Sequence, residues 1–104
     1  MRILVVPLPK SIAGMALWPF ILVRYKNPSP QLIRHEQIHL RQQVELGIFL
    51  FYFWYLMEFL VRFLWTRSVP KAYRSICFEQ EAFANQTDEL YLSVRKRWTF
   101  LTYL

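Results

Sequence analysis

The stretch Ile33-Arg34-His35-Glu36-Gln37-Ile38-His39-Leu40-Arg41-Gln42-Gln43-Val44 decides how this chain is read. It sets His35 and His39 four residues apart, with Glu36 directly after the first. On a helix, residues four apart stand one turn above each other and about 40° apart around the axis, so two imidazoles at that spacing can reach one tetrahedral ion. Glu36 lies roughly 100° round from His35, beside the pair and outside its line. A carboxylate there can act as general base on a water at the ion without being a ligand itself. The chain has only two histidines, and both fall in this His-Glu-x-x-His stretch. The competing reading is a helix that carries these residues without a metal.

Upstream of the motif, Asn27-Pro28-Ser29-Pro30 is a turn cluster. Ser29 suits an N-cap and Pro30 the first helical position. The helix that follows shows three faces. Arg34, Gln37, Arg41 and Glu45 make a solvent stripe, and Ile33, Leu40 and Val44 an apolar one. His35, His39, Gln42 and Leu46 form the third, which is neither the water face nor the main apolar face.

Before the turn cluster, Arg2-Ile3-Leu4-Val5-Val6 is short and β-branched, and Pro7 and Pro9 stop it. One or two strands are predicted around Ala13–Arg24, with Pro19 marking an edge position or a bulge. The apolar run from Ser11 to Val23 ends in Arg24-Tyr25-Lys26 without a small-residue cleavage site, which argues against a secretory signal.

The 104 residues suit one small domain with a single core. At 55% hydrophobic and 18% aromatic, the composition excludes disorder. The net charge of +6 fits either simple solubility or a surface that meets anionic lipid or nucleic acid. The lone Cys77 demands no oxidising compartment and reads as a small buried apolar residue.

Past Gly47, a candidate break, Ile48–Trp65 is almost wholly apolar and carries only Glu58 and Arg62, four apart and able to pair. Two charges make a membrane span costly, so a buried or membrane-lying helix is the preferred reading and a true span the alternative. After Arg67-Ser-Val-Pro70 a further helix is predicted over about Lys71–Gln86. It holds Glu79 and Glu81, about 200° apart around the axis. Glu79 shares its face with Ala72, Ile76 and Phe83, whereas Glu81 falls with Arg74, Asn85 and Asp88 on a solvated side. A carboxylate on an apolar face must be paired or coordinated, which makes Glu79 the better third ligand and Glu81 a surface charge. The tail, with Arg95-Lys-Arg-Trp98, Phe100 and Tyr103, reads as a solvated end whose aromatics fold back on the core.

His35-Glu-x-x-His39 followed by Phe78-Glu79-Gln-Glu-Ala82-Phe83-Ala84 resembles the gluzincin metallopeptidases. The second segment is similar to the E-x-x-A-D-x-x-A helix of the CAAX-prenyl-protease-like branch, and Gln42-Gln43 resembles small H-E-x-x-H-x-x-Q-Q domains. The resemblance covers roughly 33–44 and 73–84 and implies that Glu79 binds zinc. It departs at Phe83, where the family carries an aspartate that orients a zinc histidine; Gln42 or a backbone carbonyl would have to take that part.

The resulting expectation is an α+β zinc metallopeptidase, with short N-terminal strands on a mainly helical core that carries a zincin-like HExxH helix. Zn2+ is held by His35, His39 and Glu79, with Glu36 as general base. The partners are a peptide or protein substrate, lying as an added strand along Trp18–Val23, and peripheral membrane contact; nucleic acid is disfavoured. Tyr73 or an arginine would stabilise the oxyanion. The expected location is cytoplasmic, with membrane association alongside. A zinc-binding or membrane-surface protein with a degenerate peptidase site is the alternative.

Overall fold

The structure, a computed structural model, describes residues 2–104. It is α+β: one three-stranded sheet precedes five helices and a 3-10 turn. The strands are β1 (Arg2–Val5), β2 (Gly14–Leu17) and β3 (Phe20–Val23), ordered β1-β3-β2. β3 runs parallel to β1 and antiparallel to β2. Pro19 marks neither an edge nor a bulge. It sits in the tight turn between β2 and β3, after a cis Trp18–Pro19 peptide, where its missing N–H takes nothing from the ladder.

That order corrects the expected substrate strand. β3 is paired on both sides, so no further strand can add along 20–23, and β2 is the edge beside the helix that follows.

That helix, α1 (Pro30–Leu46), starts as the sequence predicts. The Ser29 hydroxyl accepts from the Leu32 N–H at 3.1 Å, and Pro30 opens the first turn. It ends at Gly47, whose φ of 86° suits a residue without Cβ. β2 and α1 approach closely at Gly14, where a Cβ would stand 3.2 Å from Leu32 Cδ1 and 3.4 Å from Glu36 Oε2. The Gln43 amide ties the same two elements: it accepts from the Trp18 N–H at 2.8 Å and donates to the Ala16 carbonyl at 2.9 Å. Ala16, Ile21, Val23 and Leu40 close this part of the core.

α2 (Ile48–Thr66) follows at once and is capped by Arg67 in the left-handed region. One side of it packs inward through Phe51, which joins Ile76, Cys77, Phe78 and Phe100 in the largest apolar cluster. A wholly buried helix is nonetheless not what forms, since Phe49, Phe53, Leu60 and Leu64 are exposed. The helix expected over 71–86 is two: α3 (Val69–Ser75) and α4 (Cys77–Asn85), parted at Ile76, whose backbone is extended. The reason is Glu58. Its carboxylate pairs with Arg62 at 3.3 Å and accepts from the Cys77 N–H at 3.0 Å, placing a negative charge on a free amide at the start of α4.

The chain closes with α5 (Tyr91–Val94) and the 3-10 turn Thr99–Tyr103, which fold back on α4. Phe100 is fully buried there, and so is Cys77, as the sequence predicts for both. Three residues of the predicted stripes change sides. Val44 is 58% exposed, while Glu45 and Glu81 are drawn inward by Arg95, which bridges both carboxylates. The tail supplies an internal cation, so the sides of α1 and α4 expected in water lie against it.

Candidate metal centre

The 3.6-residue period of α1 stacks His35 above His39, and α4 crosses so that Glu79 faces both. Glu79 Oε1 lies 2.9 Å from His35 Nε2 and 3.1 Å from His39 Nε2. All three side chains are buried, and one ligand atom from each lies within 4.8 Å of the others. The structure thus brings together the three residues singled out as ligands, in an arrangement that could hold a metal ion. Glu81, on the opposite side of α4, is away from the cluster, as the helical phase requires.

The other ring nitrogens decide what the facing atoms are. Gln42 Nε2 meets two acceptors, the Phe78 carbonyl at 3.1 Å and Glu81 Oε1 at 3.0 Å. Its amide oxygen must therefore face His39 Nδ1, 2.7 Å away, and that nitrogen must carry a proton. On the other ring, His35 Nδ1 lies 2.7 Å from Gln86 Oε1 and, with the amide in that orientation, donates to it. With both protons on Nδ1, two Nε2 lone pairs point at one carboxylate oxygen. Three acceptors in a buried cluster repel unless a cation sits among them, either an added proton or a metal. A tetrahedral ion with bonds of about 2.1 Å holds its ligand atoms roughly 3.4 Å apart, so small shifts of these side chains admit one. The donor set fits a metal.

Without a metal the protonated state prevails. Burial by itself would lower the pKa of His39. The charge and hydrogen bond of Glu79 outweigh it, and with Glu36 and Gln42 push it up to about 9. Burial likewise works to raise Glu79, but the His39 charge and the hydrogen bonds from both imidazoles bring it well below the ordinary carboxylate range.

Glu36 is only 5% exposed and is raised above its ordinary value. Desolvation is the cause, with Glu79 adding to it and the two histidines opposing. Glu79 Oε2 accepts from the Tyr55 hydroxyl at 2.6 Å, which leaves Oε1 to the histidines. Burial and the charge of Glu79 raise the Tyr55 and Tyr73 hydroxyls, so both keep their protons. Phe83 packs its ring against His35 at 4.6 Å between centroids.

Two parts of the cluster escaped the sequence reading. Gln86 stands seven residues after Glu79, on the same face of a continued helix, so the phase argument applied to Glu79 finds it as well. Tyr55 had no comparable signal, because nothing in the apolar run showed which of its aromatics meets α4. Comparison with protein-family models, curated proteins and solved structures finds no match to this chain. The chemistry of the cluster must therefore carry the functional argument by itself.

Proposed function

We propose that the protein is a zinc-dependent hydrolase of peptide bonds, of gluzincin type. His35, His39 and Glu79 hold the zinc, and Glu36 is the general base. The observation that carries this reading is the convergence of both Nε2 atoms on Glu79 Oε1, with both Nδ1 atoms already committed to amides. Zinc bound there supplies a Lewis acid that polarises a carbonyl and makes water acidic near neutral pH.

The chain's own residues do the remainder. Glu36 takes the proton of the attacking water and passes it to the leaving amine. Its burial favours that task, because desolvation raises it above the ordinary carboxylate value in the metal-free protein and so makes it a stronger base. Gln42 and Gln86 keep the imidazoles in the tautomer that presents Nε2, and Tyr55 holds the far oxygen of Glu79. Tyr73 keeps its phenolic proton beside Glu79 and is the donor for charge that develops on the scissile carbonyl oxygen. A peptide would add along the outer edge of β2 at its Gly14 end, since the Ala16 carbonyl and Trp18 N–H are taken by Gln43.

The test is metal analysis of protein purified without added zinc, with cleavage of a mixed peptide library before and after chelation. About one zinc per chain, with cleavage that chelation removes and zinc restores, supports the reading. Cleavage that survives chelation and Glu36→Gln would overturn it. Stoichiometric zinc with no cleavage would leave a zinc-binding protein with a degenerate site.

A further inference from the structure

One face of α2 is apolar from end to end, and among the described residues no other element covers it. Phe49, Phe53, Leu56, Leu60 and Leu64 recur along it at steps of three and four. Phe49 is 92% exposed; Trp65, off this stripe and beside the basic end of the helix, is 83% exposed. From Phe49 to Leu64 the face runs about 22 Å at 1.5 Å per residue. The opposite side of the same helix is spoken for: Phe51 is in the core, Tyr55 bonds Glu79, and Glu58 bonds the start of α4. An uncovered apolar face of that length marks a contact surface.

The charge around it says with what. Between Glu58 and Glu79 the chain carries Arg62, Arg67, Lys71 and Arg74 and no acidic residue. Arg67 caps α2, and Lys71 and Arg74 line one cleft with Thr66 at the end of that helix. Among the described residues none of Arg67, Lys71 and Arg74 forms an ion pair. A second copy would bring two chains of net charge +6 together. A bilayer with anionic headgroups instead offers acyl chains to the apolar face, negative charge to the basic end, and an interfacial position for Trp65.

The geometry also says how the helix lies. α4 and the His35–His39–Glu79 cluster pack against the middle of α2 on its inner side, through Tyr55 and Glu58. If α2 crossed a bilayer, it would carry Glu58, Glu79, Glu81 and Arg95 to hydrocarbon depth with it, where charged groups are costly. Lying flat, the helix immerses its outer face alone and leaves the rest of the chain in water. We infer that α2 binds in the plane of an anionic membrane surface, with the basic end of the helix on the lipid headgroups. This inference does not depend on the hydrolase reading.

Co-sedimentation of the full chain with vesicles tests it, using phosphatidylcholine alone and phosphatidylcholine with a quarter phosphatidylglycerol. Binding is expected to the mixed vesicles and to be at least ten-fold weaker to the neutral ones. High salt should release it, because headgroup attraction is screened. Each of Arg67→Ala and Lys71→Ala should weaken binding about five-fold. Leu60→Glu should reduce it ten-fold or more, yet keep helix content and metal binding, because position 60 touches only the outer face. Brominated lipid should quench the emission of the wild type, and Trp65→Phe should remove most of that quenching. No binding to the mixed vesicles, or equal binding by a folded Leu60→Glu protein, would overturn the inference. So would a solution dimer that Leu60→Glu dissociates, which would make the face a protein interface. Bound protein that resists alkaline carbonate and leaves only with detergent would show a spanning helix instead.

Discussion

Arg95 and Glu81 meet in the interior, Nε donating to Oε2 at 2.5 Å and NH2 to Oε1 at 3.2 Å. The same guanidinium holds Glu45 of α1 at 2.7 and 3.1 Å. Glu81 also accepts from Gln42, whose amide oxygen faces His39. A buried chain of polar contacts thus leads from the C-terminal tail to a candidate ligand.

Arg95→Met should destabilise the protein by about 3–5 kcal/mol, because two buried carboxylates lose their cation. Adding Glu45→Gln and Glu81→Gln should recover part of that loss, since neutral amides cost less to bury. Urea unfolding of the single and triple variants measures both. An Arg95→Met protein as stable as the wild type would show that this network contributes nothing.

The two glutamates of α4 should separate by what they lose. Glu79→Gln removes the carboxylate oxygen that faces both histidines, and zinc affinity should drop at least 100-fold. Glu81→Gln should cost stability rather than a ligand, and it should weaken zinc far less. Competition with a chromophoric chelator reads affinity, and thermal melts read stability.

Leu at position 42 or 86 leaves an imidazole free to turn and to change tautomer. Gln42→Leu and Gln86→Leu should each weaken zinc about 10–100-fold. Leu at 42 should cost stability as well, since the Phe78 carbonyl and Glu81 Oε1 each lose the hydrogen bond that Gln42 donates. Affinity unchanged in both would mean that the amides do not orient the rings.

Glu36→Gln should keep zinc, because Glu36 is not among the three converging residues, while cleavage falls about 100- to 10,000-fold. The comparison needs a peptide that the wild type cuts. An active Glu36→Gln protein would remove the general-base assignment.

Zinc binding should depend on pH with a known sign. His39 is pushed up to about 9 in the metal-free protein, so its proton must leave before Nε2 can bind a metal. Affinity should therefore climb about ten-fold per pH unit as pH rises toward 9. Stability of the metal-free protein should run the other way. The raised His39 contributes stability that is fully present below the ordinary histidine pKa of about 6.5 and is lost as pH rises through 9. Isothermal titration in buffers of different ionisation heat counts the released proton.

Much of the centre was legible in one dimension. His35, Glu36 and His39 lie within one turn and a half of helix, so the 3.6-residue period alone sets their relative directions. Ser29 and Pro30 announced where that helix begins, and Gly47 where it ends. The same period put Glu79 and Glu81 on opposite sides of α4, and the structure keeps them there. The pairing of Glu58 with Arg62, four apart, is local in the same way.

Phase gives a direction, however, and not what waits in that direction. Glu45 and Glu81 point away from the apolar stripes, yet the tail folds back and sets Arg95 between them, fifty residues from one and fourteen from the other. Val44 belongs to an apolar stripe by period and is exposed because no element packs there. The break at Ile76 and the choice of Tyr55 among the aromatics of α2 depend on where α4 crosses α2. The order β1-β3-β2 closes the strand that looked available and leaves β1 and β2 as the edges. The helical registers follow from short-range backbone geometry, which repeats without reference to the rest of the chain. Which faces meet is set in three dimensions, because burial of a charge is settled by the partner that arrives from elsewhere in the chain.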